Sequence, residues 1–174
     1  GSPASIVPVS DGYSIVGNKR IDSAARRQRE NELFWPYHRE IESRLAIIRE
    51  NGYVPVVFAV HSFTPQMDGQ GRPWQAGVLW KHDARVATPL IAALRARGLT
   101  VGDNEPYSGH HPDGFTIEHH AEPHGLVHAL VEVRQDQLAD NAGVQRWCEL
   151  LYGALAPILA TVGTQLELDE QPQP

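Results

Sequence analysis

Cysteine is all but missing from this 174-residue chain, where Cys148 stands alone. One thiol cannot close an intramolecular disulfide, so a covalently stapled scaffold is excluded and a reducing compartment is expected. No apolar run approaches the roughly 20 residues of a membrane-spanning helix. The first residues show no charged-then-apolar targeting pattern. An excess of positive charge is lacking too: 15 Lys and Arg stand against 21 Asp and Glu, interspersed, for a net charge of −6. That balance leaves no nucleic-acid footprint. Ser62 is not set in a Gly-x-Ser-x-Gly turn, which argues against a serine hydrolase. No internal repeat is visible. These absences together lead to the expectation of a soluble, cytoplasmic protein.

Enough apolar sequence remains to build a core. Hydrophobic residues make up 41% of the chain and charged residues 21%, which suits one folded domain over 1–174. Residues 1–20 hold Pro3, Pro8, Gly12 and Gly17 without periodicity and read as an extended loop. Asp22 or Ser23 then suits a helix N-cap. Beyond it Leu33, Phe34, Tyr37, Ile41, Leu45 and Ile48 recur at helical steps until Asn51-Gly52, with Pro36 placed to kink or split the helix. A buried strand is expected at 54–60, with His61 just at its end. Further strands are expected at 76–80, 99–102 and 127–134, and helices at 84–97 and 142–159. Residues 66–73 and 104–125 read as loops, the second long enough to suggest a function, and 164–174 as a frayed tail. Cys148 falls within the last helical pattern and reads as a small buried hydrophobe.

Strands alternating with helices predict an α/β layered fold with a mixed or mostly parallel sheet flanked by helices. Ligands in such sheets gather at the carboxyl ends of strands. Three polar clusters fall there: His61-Ser62, Asp103-Asn104, and residues 132–136.

The segment 127–134 carries the most specific pattern. Alternation across a strand puts Val127, Ala129, Val131 and Val133 on one face and His128, Leu130, Glu132 and Arg134 on the other. Burying His, Glu and Arg on one side is costly unless they are paired or used. A carboxylate beside a metal-bound water can take its proton and later hand it to a leaving amine, and a neighbouring arginine can clamp a substrate carboxylate. The alternative is a structural Glu132–Arg134 network, or a solvated edge strand. His61 has two readings as well: a strand-end imidazole suited to zinc, or a histidine satisfied by backbone hydrogen bonds. The histidines 110, 111, 119, 120, 124 and 128 invite a second metal hypothesis, but solvent exposure or substrate contact describes most of them better. His124 and His128 are spaced like a helical ligand pair, yet they fall in a loop and at a strand start.

Several segments, in order, resemble the N-formylglutamate amidohydrolase family: Val7-Pro8-Val9-Ser10-Asp11-Gly12, Phe34-Trp35-Pro36-Tyr37-His38, and Val60-His61-Ser62-Phe63-Thr64-Pro65. Arg72-Pro73-Trp74, Gly102-Asp103-Asn104-Glu105-Pro106-Tyr107 and Thr116-Ile117 follow. The last are Gly125-Leu126-Val127-His128 and Glu132-Val133-Arg134-Gln135-Asp136. The resemblance runs from about residue 5 to about residue 160. It implies a fold similar to zinc carboxypeptidases and aspartoacylases, with Zn2+ as cofactor, His61 as a metal ligand and Glu132 as general base. It further implies Arg134, and with it Arg72, Asn104, Ser62 and His128, as substrate-binding positions. The implied reaction converts N-formyl-L-glutamate to glutamate and formate, at the end of a histidine-degradation route. Another N-acyl-amino-acid or peptide amidase, or a non-catalytic dicarboxylate or peptide binder, would use the same scaffold. Family members usually begin with a further segment bearing a first strand, a histidine and an acid. The expectation is therefore that these residues are the larger, C-terminal part of the enzyme. By that reading the remaining ligands lie in the preceding segment or a separate fragment, and this chain alone is inactive.

Overall fold

The computed structural model describes residues 6–110 and 115–169, with side chains through residue 162. The chain, read by its length as one domain over 1–174, resolves into two compact units: Gly1–Val54 with Met67–Gln70, and Pro55–Gln66 with Gly71–Pro174.

The first unit opens with a small hairpin, β1 (Val9–Ser10) and β2 (Tyr13–Ser14), where an extended loop was expected. Asp11-Gly12 explains it: both residues take positive φ, 49° and 73°, which is what a two-residue turn matching strand twist requires. Asp22 caps α1 (Ser23–Arg29), its side chain accepting from the Ala25 N–H at 2.8 Å. One π-helical turn, Glu30–Phe34, joins α1 to α2 (Trp35–Glu50). Pro36 has no N–H to return to the preceding turn, and the helix answers by widening ahead of it rather than splitting. Gly52, at φ 80°, lets the chain leave the helix.

The second unit is built on a four-stranded sheet in the order β3–β8–β6–β7, made of β3 (Val56–Phe63), β6 (Ala76–Leu79), β7 (Val101–Asp103) and β8 (Val127–Arg134). The residues between β3 and β6 form a two-stranded hairpin, β4 (Gln66–Met67) and β5 (Gln70–Gly71), turned on Asp68-Gly69, where a loop was expected. β3 is parallel to β8, β8 antiparallel to β6, and β6 parallel to β7, so the sheet is mixed. One face carries the apolar core. Val131 and Val133 of β8, Val78 of β6 and Val101 of β7 meet Leu90, Ile91 and Leu94 of α3 (Ala87–Arg95) and Trp147 of α5 (Asn141–Asp169). Burying that continuous face is the main stabilising term.

Four expectations need correction here. The strand predicted at 54–60 runs over Val56–Phe63, so His61 lies inside it. It is also an edge strand rather than a buried one, with Val60 58% exposed. The final helix continues past 159 to Asp169; residues 164–169 contain no glycine or proline to stop it, and 170–174 lie outside the described residues. Cys148 is exposed, since it stands one residue, and so about 100° around the helix, from buried Trp147. The stretch 104–125 holds α4 (Thr116–His120) and a 3-10 turn, Glu122–His124, ended by left-handed Gly125.

Candidate functional site

Register decides what meets what. On β3 and β8, His61 pairs with Glu132, and directly paired residues point to the same side of a sheet. That side is the one opposite α3 and α5. The His61 Nδ1 lies 4.0 Å from Glu132 Oε1, too far for a hydrogen bond but close enough to share a ligand. His61 is half-exposed at the sheet edge. Glu132, on a central strand, is only 7% exposed, and its Oε2 is buried with no hydrogen-bond partner among the described residues. Burial pushes the Glu132 carboxyl up from the ordinary 4.5 to about 7, with the nearby Arg72 guanidinium pulling it down.

Both groups open into one cavity of about 280 Å³. Leu79 and Leu130, another register pair, form part of its floor, and Phe115 and Ile117 from α4 and its approach form a wall. The loop after β7 reaches this face because the sheet offers no side chains there. A Cβ on Gly77 or Gly102 would fall on the Glu105 carbonyl, and one on Gly109 would meet the Trp80 carbonyl. Backbone thus lies directly on β6 and β7 and delivers Tyr107 and Ser108 to the cavity.

The remaining expected residues are distributed unevenly. Asn104 is spent on structure: its Oδ1 accepts from the N–H groups of Trp80 (3.0 Å) and Gly109 (2.9 Å), and the residue takes φ 55°. Arg134 is bound bidentately to Asp136 at 2.7 and 3.0 Å and donates to the carbonyls of Arg72 and Pro73. It is not part of the cavity lining, because an acid two residues on and two carbonyls claim its whole fork. Ser62 pairs with Val133 and so faces the helix-covered side. Arg72 stacks over the Tyr107 ring at 4.9 Å, donates to its hydroxyl at 3.0 Å, and acts on Glu132 through its charge. His128 is on the Glu132 face but opens into a different cavity of about 360 Å³, with Asp83 and Glu122.

The three polar clusters do not share one end of the sheet, as strand polarity had suggested. β7 runs antiparallel to β8, so Asp103 is level with Val78 and Val131, and Asn104 stands at the opposite end from Arg134. The cavity lies on the sheet face, not outside strand tips. Of these histidines, His120 and His128 are buried, 2% and 1% exposed, so solvent exposure, one of the two roles expected for most of the six, does not describe them. His110, His119 and His124 are exposed, and His111 lies outside the described residues. The His128 Nδ1 is held by the Leu126 carbonyl at 2.8 Å. Sequence reasoning missed Lys81, Glu118 and Glu122, all of which line the cavity shared by His61 and Glu132. Nothing in a solvated-looking Trp-Lys-His-Asp segment or a short helix marked them beforehand.

Zinc at this cavity can be tested against the donors present. His61 and the unpartnered Glu132 oxygen are the right types for one ligand and one base. A catalytic zinc takes three protein ligands, and the described cavity lining holds no second imidazole. The residues fit one corner of such a site.

A mixed α/β sheet brings an imidazole and a buried carboxylate together on one face cavity, an arrangement suited to proton transfer. The chain belongs to the N-formylglutamate amidohydrolase family, whose model matches residues 2–139, and the family is one of amidohydrolases. The fold is shared with the crystal structure of the gene product Atu2144 from Agrobacterium tumefaciens, at TM-score 0.88 and 30% identity. That likeness covers 92% of this chain and 64% of the other, so the chain spans under two thirds of its relative's length. No protein of curated function matches.

Proposed function

We propose that this chain carries the base and one metal ligand of an enzyme that hydrolyses the formyl amide of N-formyl-L-glutamate to glutamate and formate. The observation behind this reading is the register pair His61–Glu132, 4.0 Å apart within one cavity. His61 would hold zinc together with ligands from outside the described residues, in the manner of the carboxypeptidase-like enzymes. The metal, when bound, supplies Lewis acidity toward the formyl oxygen and makes water easier to deprotonate. Glu132 takes the proton from the attacking water on its unpartnered Oε2, then returns it to the departing amino nitrogen. The aromatic and aliphatic walls exclude bulk water and hold the substrate against this pair. Arg72, stacked on Tyr107 beside Glu132, suits the substrate's α-carboxylate. A role at the end of histidine degradation, in the cytoplasm, belongs to the same proposal.

The test is formate release from N-formyl-L-glutamate by the full-length, zinc-loaded protein, beside N-acetyl-L-glutamate and a formylated dipeptide. Preferred hydrolysis of the formyl compound, lost on chelation and regained with zinc, is expected. Equal or better turnover of the acetyl compound would move the assignment to a broader acylase. No hydrolysis of any of them would leave only a ligand-binding role.

A further inference from the structure

The cavity has an end that the His61–Glu132 pair does not reach. Along β6, Gly77 is level with Glu132 and Leu79 with Leu130. Lys81 follows two residues later and also lines the cavity. The strand ends at Leu79, and its direction from Gly77 to Leu79 carries the chain away from the level of Glu132, so Lys81 enters beyond the Leu79–Leu130 floor. Its ammonium nitrogen lies 3.5 Å from Glu118 Oε1, the two side chains being 26% and 20% exposed. This ion pair spans the approach to the cavity from α4. Among the described lining residues Lys81 is the one permanent cation.

We infer that Lys81 is the specificity residue for the side-chain carboxylate of the substrate, with Glu118 as the group that holds its ammonium over the cavity. This deepens the function proposed above and rests on it. The dimensions favour the side chain over the α-carboxylate. In an extended N-formylglutamate the α-carboxyl carbon lies roughly 3.5 Å from the formyl carbon and the side-chain carboxyl carbon roughly 6 Å. The farther of the two carboxylates is the one that suits a cation carried beyond the Leu79–Leu130 pair, away from the level of Glu132. An ammonium donates three hydrogen bonds, so a ligand carboxylate joins Glu118 as a second acceptor without displacing it. The pairing also answers a charge problem. Glu118, Glu122 and Glu132 all line this cavity, and without a cation at its far end a second substrate carboxylate would meet only like charge.

The experiment compares N-formyl-L-glutamate with the isosteric, neutral N-formyl-L-glutamine on the full-length, zinc-loaded enzyme, in wild type, Lys81→Met and Lys81→Arg. Wild type is expected to prefer the glutamate substrate in kcat/KM. Lys81→Met should collapse that preference by tenfold or more, chiefly through KM, and Lys81→Arg should restore most of it. The glutamine substrate serves as the internal control for folding. A fall in both substrates alike, or an unchanged ratio, overturns the assignment. Should wild type hydrolyse neither substrate, the deformylase reading fails by itself. The inference is then read by calorimetric binding of L-glutamate against L-glutamine. Loss of a glutamate preference in Lys81→Met sustains it, and no difference between wild type and variant refutes it.

Discussion

Across the parallel ladder of β3 and β8, the His61 imidazole and the Glu132 carboxyl occupy one register pair, Nδ1 to Oε1 at 4.0 Å. The two owe their proximity to backbone pairing and not to each other, because no hydrogen bond joins them. Among the described residues the carboxyl keeps an unpartnered oxygen, open to a third party.

That oxygen makes Glu132→Gln the most direct chemical test. The amide preserves size and one acceptor but cannot take a proton. Formate release by the full-length enzyme should fall about a hundredfold or more, with KM changed little. A variant that keeps the wild-type rate would remove Glu132 from the mechanism, whatever its position.

The same residue predicts a pH signature in the metal-free chain. Burial pushes its carboxyl up to about 7 in the folded chain, against the ordinary 4.5. A raised folded value means that the folded state binds the proton more tightly. The resulting stability is fully present below about pH 4.5 and is lost as pH rises through 7. Partial solvent access reduces the effect, leaving roughly 1–3 kcal/mol. Glu132→Gln has no such slope. Urea unfolding of both proteins in chelator should show the variant gaining on wild type between pH 4 and pH 8; parallel curves would contradict the burial argument.

Much of this was legible in the sequence because alternation on a strand is strict. The limits of β8, its apolar face and the shared face of His128, Leu130 and Glu132 all follow from a period of two. The α3 and α5 core stripes follow from the helical period. Other features depended on distant partners. His61 could be placed near a strand end, but its pairing with Glu132 required the parallel β3–β8 ladder, which local pattern does not specify. Strand alternation puts Arg134 on the face of Glu132, but its capture by Asp136, two residues along, depends on the turn after β8, which alternation does not specify. The polarity of β6 and β7 relative to β8 was equally hidden, which is why Asp103-Asn104 was grouped with the wrong end. Lys81 carried no signal at all, since a lone lysine after a strand is ordinarily solvated.

Arg134 offers a test in which structure and substrate binding give opposite results. With both arms on Asp136 and further bonds to the Arg72 and Pro73 carbonyls, its loss should loosen the turn after β8. Arg134→Met is expected to lower stability by about 1–2 kcal/mol in urea titration, with KM for N-formylglutamate altered less than threefold. A tenfold rise in KM at unchanged stability would instead return Arg134 to the substrate.

Gly77 tests whether the cavity depends on backbone lying flat against the sheet. Its missing Cβ is the space occupied by the Glu105 carbonyl, and that carbonyl belongs to backbone that cannot rotate aside as a side chain could. Gly77→Ala therefore has to lift the 105–109 loop or distort β6. Either course costs about 3 kcal/mol or more, placing it among the severe single substitutions. Gly12→Ala, with no atom near its added methyl but a φ of 73°, should cost only about 1 kcal/mol from backbone strain. Unfolding of the two variants side by side separates steric exclusion from conformational strain. Because Tyr107 and Ser108 line the cavity, Gly77→Ala should also depress kcat/KM in whatever fraction stays folded, while Gly12→Ala should not. Equal stabilities for the two, or a fully active Gly77→Ala, would mean that the loop rests on the sheet by choice rather than by necessity.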